Sequence, residues 1–452
     1  MADANPTLPL ALPNLSFEEI KTPFEGDLLG RQALAARVTG YLDRLKVGAV
    51  LALDAPWGEG KTWFARHWAA QLRQDGYRVG VIDAFQQDYV EDPFLLLAAE
   101  IKRLSSADAS AMRRLTAKAA KVGSALLPVA TKAAINLAGK VIGTNDLAGE
   151  FSEAVAKGAE KGADAAQAWV KRKLNDHEKE RASVQAFREE LAKFAAASDK
   201  PVVIFIDELD RCRPAFAVRL IERIKHFFDV PNLVFVLLMN REQLEKAIRG
   251  VYGAETDASA YLGKFLHLVL RLPKNASRMV ADRPHPAKLF VDVTLSRYGL
   301  QGPPAKEFAH AFAACAVVFD LSLRDIERGC ALYLLAERRW AGLLAYLIAL
   351  KLRRPGWFEG LRRGDSLTHQ QCEGHLHTEL NQRDRMGEPA DWPGCYFNAL
   401  AALHRLALGS HEMSHRDVVS NNQRNLFSPG GTISVGEEFE RALKCLDLDI
   451  EE

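Results

Sequence analysis

Residues 54–62 read Asp-Ala-Pro-Trp-Gly-Glu-Gly-Lys-Thr; they follow an apolar run, Ala49 to Leu53, and lead into a helical pattern. Gly58 and Gly60 let backbone N–H groups turn inward around phosphate oxygens with no Cβ in the way. The helix that opens at Lys61 aims its positive end at the same anion. Lys61 is placed to reach β- and γ-phosphates. Thr62 is placed to offer its hydroxyl to Mg²⁺, an ion that keeps most of its waters and needs few protein ligands. Trp57, Gly58, Glu59, Gly60, Lys61 and Thr62 are therefore the candidate nucleotide-binding residues. One position departs from G-x-x-x-x-G-K-[ST]: the first glycine is replaced by Ala55. If that position needs positive φ, alanine costs roughly 1 kcal/mol there.

A second chemical stretch lies at 201–212, Pro-Val-Val-Ile-Phe-Ile-Asp-Glu-Leu-Asp-Arg-Cys. Five consecutive apolar residues, Val202 to Ile206, predict a strand buried on both faces, as in a parallel sheet. Asp207 follows at its C-terminal end, where open α/β sheets bind ligands. Asp207 is placed to hold the water shell of Mg²⁺, and Glu208 to orient and deprotonate an attacking water. Acidic residues also cap helices after strands, so the pair gains its meaning from the glycine loop upstream. Asn240 ends a further apolar run and can hydrogen-bond the attacking water or the γ-phosphate, or serve as a turn residue. Arg324, near the start of the strongest helical pattern (321–340, with Ser322 as cap), can reach back to the γ-phosphate or remain a solvated charge. Glu208, Asn240 and Arg324 are the candidate catalytic residues; Thr62 and Asp207 are the candidate Mg²⁺ ligands. His369, Cys372, His375 and His377 have a metal-like composition but no second paired cluster, with Cys395 or His404 as distant candidates to complete a site.

These residues need elements to position them. Apolar runs at 77–85, 232–240 and 265–273 predict three more strands, and helical periodicity fills the spaces between. The fold expected is α/β: a parallel sheet with helices on both faces, then a helical lid and a C-terminal helical region. The boundaries read as a loose arm at 1–22, a nucleotide domain at 23–275 with a helical insertion near 105–180, a lid at 276–355, and 356–452 without a legible role. Glu25 to Arg31 can face a nucleotide base or simply lead into a helix. A helix from about 176 to 197 precedes the second motif.

Charge narrows the partners. Lys plus Arg is 59 and Asp plus Glu is 58, so net charge gives no support for nucleic acid. The six cysteines form no framework and suit a reducing compartment. With no signal pattern at the N-terminus, the reading is cytoplasmic. The most apolar part of the insertion, 122–143, carries Pro128, Lys132 and Lys140; it reads as a helical insertion, with at most peripheral membrane contact.

With both motifs placed, the chain resembles the KAP family of P-loop NTPases, within the wider STAND/AAA-like group. "GDLLGR", "PWGEGKT", "IDAF", "IDELDRCRP", "DVPNLVFVLLMNREQLEKAI", "YLGKFLHLVLRLP" and "LSLRDIER" carry the likeness over roughly 22–330. Ala55 departs from it, Glu208 stands where many members have a second Asp, and the insertion is too polar for the paired membrane helices often found there. The resemblance implies ATP hydrolysis coupled to changes of assembly, and for prokaryotic members a link to phage exclusion. ATP rather than GTP is expected because no N-K-x-D string occurs; "NQRD" at 381–384 lacks the lysine. A homo-oligomer would let a neighbour donate an arginine, with Arg211, Arg219, Arg223 and Arg271 as candidates. Two readings follow: a hydrolysing switch or motor, or a slow nucleotide-gated scaffold whose helical C-terminus recruits a protein effector.

Overall fold

The five apolar runs become five parallel strands in the computed structural model, which describes residues 16–90, 92–105, 108–126, 181–273, 285–336, 341–386, 394–407 and 435–447. Residues 1–15 of the arm, most of the 105–180 insertion including 127–143, and the start of the lid lie outside the described residues. The strands are β1 (Ala49–Asp54), β2 (Arg78–Asp83), β3 (Val202–Asp207), β4 (Leu233–Met239) and β5 (Leu268–Arg271), in spatial order β2-β3-β4-β1-β5. Strand β4 therefore lies between the strand that leads to the glycine loop and the strand that ends in Asp207.

Both faces of the sheet are covered, and side-chain alternation divides them. Leu51, Leu53, Val203, Phe205, Val234 and Val236 pack on α1 (Gln32–Leu42) and α2 (Lys61–Gln74), whose Phe64, Trp68 and Leu72 lie one turn apart. Trp68 meets Phe205 edge-on at 5.2 Å and donates its indole N–H to Thr39 Oγ1 at 2.9 Å. Val50, Ala52, Val202, Ile204, Ile206, Phe235 and Leu237 face the opposite layer. That layer holds α3 (Phe94–Leu104), α4 (Ala109–Leu126), α5 (181–196) and α6 (Pro214–Ile224). After β4 come α7 (Arg241–Tyr252) and α8 (Ala258–Gly263).

The rest of the chain is helical: α9 (Pro286–Arg297), α10 (Pro303–Val318), α11 (Leu323–Leu335), α12 (Ala341–Arg353), α13 (Pro355–Arg362), α14 (Ser366–Met386), α15 (Gly394–Ala407) and α16 (Val435–Asp447). The helix expected over 321–340 starts where Ser322 and Asp325 form a reciprocal capping box, but it stops at Leu335, because Ala336 turns to extended backbone. Helix α12 is buried on every side from Ala341 to Leu350. One apolar core takes residues from Val291 to Leu446, on either side of position 355. Tyr346 bonds His404, Tyr396 donates to the Gly342 carbonyl, and Lys351 donates to the Leu446 carbonyl, at 2.7–2.9 Å. Among the described residues no helix is long and apolar enough to cross a membrane.

Candidate functional site

The glycine loop adopts the conformation its sequence demands. Gly58 (φ +82°) and Gly60 (φ +75°) lie in the left-handed region, and Gly60 caps α2. Ala55 does not, so the alanine carries no backbone penalty, and the feared cost is absent. Its methyl is buried in the core, and its N–H donates to the Met239 carbonyl at 3.2 Å, which ties the loop to β4. Lys61 folds back under the loop. Its ammonium donates to the carbonyls of Ala55 at 2.6 Å and Pro56 at 3.1 Å. Burial lowers its pKa, while the nearby carboxylates of Asp210 and Asp207 oppose that shift.

The second motif arrives at the same place. The Thr62 hydroxyl is hydrogen-bonded to Asp207, although their strands are separated by β4. Burial raises the Asp207 pKa against that bond and against the Glu208 N–H, which donates to Asp207 Oδ1 at 2.8 Å. Glu208 has left-handed backbone (φ +58°), an uncommon conformation for a non-glycine residue that occurs at functional sites. Burial raises its pKa; Arg211, donating to Glu208 Oε2 at 2.8 Å, opposes this, and Asp207, Asp83 and Asp210 reinforce it. Asp83 pairs in register with Asp207 at the end of the neighbouring strand. The donor set suits a hydrated divalent cation: a hydroxyl and a carboxylate already in contact, set among further acids whose mutual repulsion a cation relieves. Thr62 and Asp207 are the residues that would hold it.

Asn240 stands at the end of β4, between the two motifs, and its side-chain oxygen caps α7 by accepting from the Gln243 N–H at 3.4 Å. Arg324 is brought to the loop: its backbone N–H donates to the Gly58 carbonyl at 3.2 Å. A Cβ added to Gly58 would lie 2.6 Å from Ser322 Oγ and 2.9 Å from Arg324 Cβ, so the first turn of α11 rests directly on the loop. Trp57 donates its indole N–H to Asp210, a second link between the two motifs. Glu59 is buried and its charge faces Arg31.

Sequence reasoning placed Arg31 only within a stretch that could face a base, and it missed Asp83 and the Trp57–Asp210 link. The signal for Asp83 was available, since it lies near the end of the strand predicted over 77–85. Of the arginines considered for a neighbouring site, Arg223 holds Asp92 through two nitrogens (3.3 and 2.8 Å), and Arg211 holds Glu208. Arg271 is exposed on the edge strand β5.

Among the described residues, those of the histidine-rich stretch included, no group of three or more His, Cys, Asp or Glu side chains could hold an ion. Helical spacing on α14 separates them. His369 points into the core against His404 (2.9 Å), Cys372 is buried, and His377 is exposed beside Glu373. Burial drives the His404 pKa down to about 3. A base depressed in this way binds fewer protons folded than unfolded, so stability is lost as pH falls below about 6.5. Between pH 7 and pH 5 the loss expected is about 2 kcal/mol, and His404→Gln is expected to flatten the pH dependence of the melting temperature.

No curated protein matches the chain. The family model for the KAP family P-loop domain matches residues 31–287, more than half of the chain, from the start of α1 to the start of α9. A parallel sheet with the glycine loop after β1 and the acidic pair at the end of β3 lies within that span, and the chain belongs to the KAP family of P-loop NTPases.

Proposed function

We propose that the protein hydrolyses ATP with Mg²⁺ and uses the cycle to change its assembly or drive an effector. The observation that carries this reading is the Thr62–Asp207 hydrogen bond, which joins the two motifs across β4. In this reading the loop amides and Lys61 hold the β- and γ-phosphates, and Thr62 and Asp207 hold the ion, which when bound neutralises phosphate charge. Glu208 aligns the attacking water and takes its proton. Asn240 and Arg324 contact the γ-phosphate or that water, and their work is positioning and charge stabilisation. Hydrolysis is expected to vanish in excess EDTA and to return with Mg²⁺, followed as phosphate release. Release that is indifferent to the chelator would remove Thr62 and Asp207 from their roles.

A slower, scaffold-like reading has its own support. Glu208 is engaged by Arg211 in the same chain, so its carboxylate is partly occupied, and the lid contacts the loop backbone. Sizing the protein with ATP, with ADP and without nucleotide separates the two: a scaffold changes oligomeric state on binding, with little turnover. An arginine donated by a neighbour is best sought at Arg271, exposed at the sheet edge. The link to phage exclusion rests on the resemblance alone. Phage plating on cells carrying the wild-type gene or Lys61→Ala is the corresponding test.

A further inference from the structure

The side chain of Arg31 is almost wholly buried, 1 % exposed, at the start of α1. It joins three segments that are remote in sequence. One terminal nitrogen donates to the Gly60 carbonyl at 3.3 Å, the other to the Pro273 carbonyl at 3.4 Å. Pro273 is just beyond β5, where the chain leaves the sheet towards the lid. Glu59 and Asp27 contribute opposite charge nearby, yet Nε has no hydrogen-bond partner among the described residues. A guanidinium buried with long bonds and an orphan N–H is a poor stabiliser of the fold, because desolvation offsets most of what its contacts return. Its position suggests another use. The Gly60 carbonyl it holds belongs to the left-handed residue that turns the loop into α2, and a Cβ on Gly60 would approach Arg31 to 2.8 Å.

We propose that Arg31 is a positioning residue for the phosphate site: by gripping Gly60 and Pro273 together it fixes the left-handed turn that aims the loop amides and Lys61. The inference rests on the nucleotide-binding reading above. The loop grips the β-phosphate, which ATP and ADP share, so loss of Arg31 weakens both nucleotides alike. Loss of a residue that senses the γ-phosphate weakens ATP more than ADP. Lysine can satisfy one carbonyl but not both, so it restores only part of the effect.

The test is titration of ADP and of ATP, by calorimetry at equal Mg²⁺, into wild-type protein, Arg31→Met and Arg31→Lys, with melting temperatures for each. Arg31→Met is expected to weaken ADP and ATP each by about tenfold, the scale of one charge-assisted hydrogen bond, with the melting temperature held or raised. Arg31→Lys is expected to fall between. The KM for ATP should rise by the same factor, with kcat changed much less. A folded Arg31→Met protein that binds ADP as the wild type does overturns the proposal. So does a variant whose melting temperature falls while affinity stays, which would make Arg31 a purely structural tie. If Arg31→Met does not fold, Arg31→Lys decides by the same ADP comparison: undiminished binding overturns the proposal, and weaker binding with an unchanged melting temperature supports it. Wild-type protein that binds neither nucleotide would remove the nucleotide reading itself and this inference with it, a result distinct from normal wild-type binding with an unaffected variant.

Discussion

Glu208→Gln is expected to keep Mg·ATP bound while turnover falls by about 10²–10⁴-fold, the usual contribution of a positioned base. The amide fills the same space and still accepts a hydrogen bond from Arg211, so the left-handed turn after β3 has no reason to relax. What it loses is the capacity to take a proton from water. Binding followed with a fluorescent ATP analogue, beside phosphate release, gives the two readouts. Turnover equal to wild type would remove Glu208 from its role.

Gly58→Ala is the second large effect expected. Alanine at φ +82° is strained by about 1–2 kcal/mol before any contact is considered. Its methyl would then stand 2.6 Å from Ser322 Oγ and 2.9 Å from Arg324 Cβ, closer than real carbon contacts allow, so α11 must retreat. The bond from the Arg324 N–H to the Gly58 carbonyl is lost with it. Turnover should fall at least tenfold, about 1.4 kcal/mol or more of barrier, and ATP should lose its advantage over ADP in binding. Adding Ser322→Gly, which removes the nearer obstruction, should recover part of the loss. A Gly58→Ala protein with normal turnover would show that the contact between α11 and the loop has no part in the cycle.

Much of this site was legible because its parts are local. A strand covered on both faces reads as an unbroken apolar run, which is how Val202–Ile206 and Leu233–Met239 declared themselves and delivered Asp207 and Asn240 to strand ends. Ser322 marked a helix start from its place before the periodic run, and the structure adds Asp325 as its reciprocal partner. Strand order was not legible: nothing in the sequence of β4 states that it separates β1 from β3, since pairing is settled by packing between distant segments. Arg31 stayed hidden for the same reason, because its two partners lie 29 and 242 residues away. The histidines of α14 left the sequence reading open. Their composition suggested an ion, but a helix distributes positions 369, 372, 375 and 377 around its axis, and two of them serve the core.

The helix that is covered all round, α12, is the hub of the C-terminal half, with neighbours drawn from both sides of residue 355. A truncation at that position would strip Phe358, Tyr396, Leu400 and Leu443 from the core that α12 shares and lay bare the apolar surface they cover. The last hundred residues are thus no detachable cassette, and a chain shortened there should precipitate rather than survive as a trimmed P-loop domain.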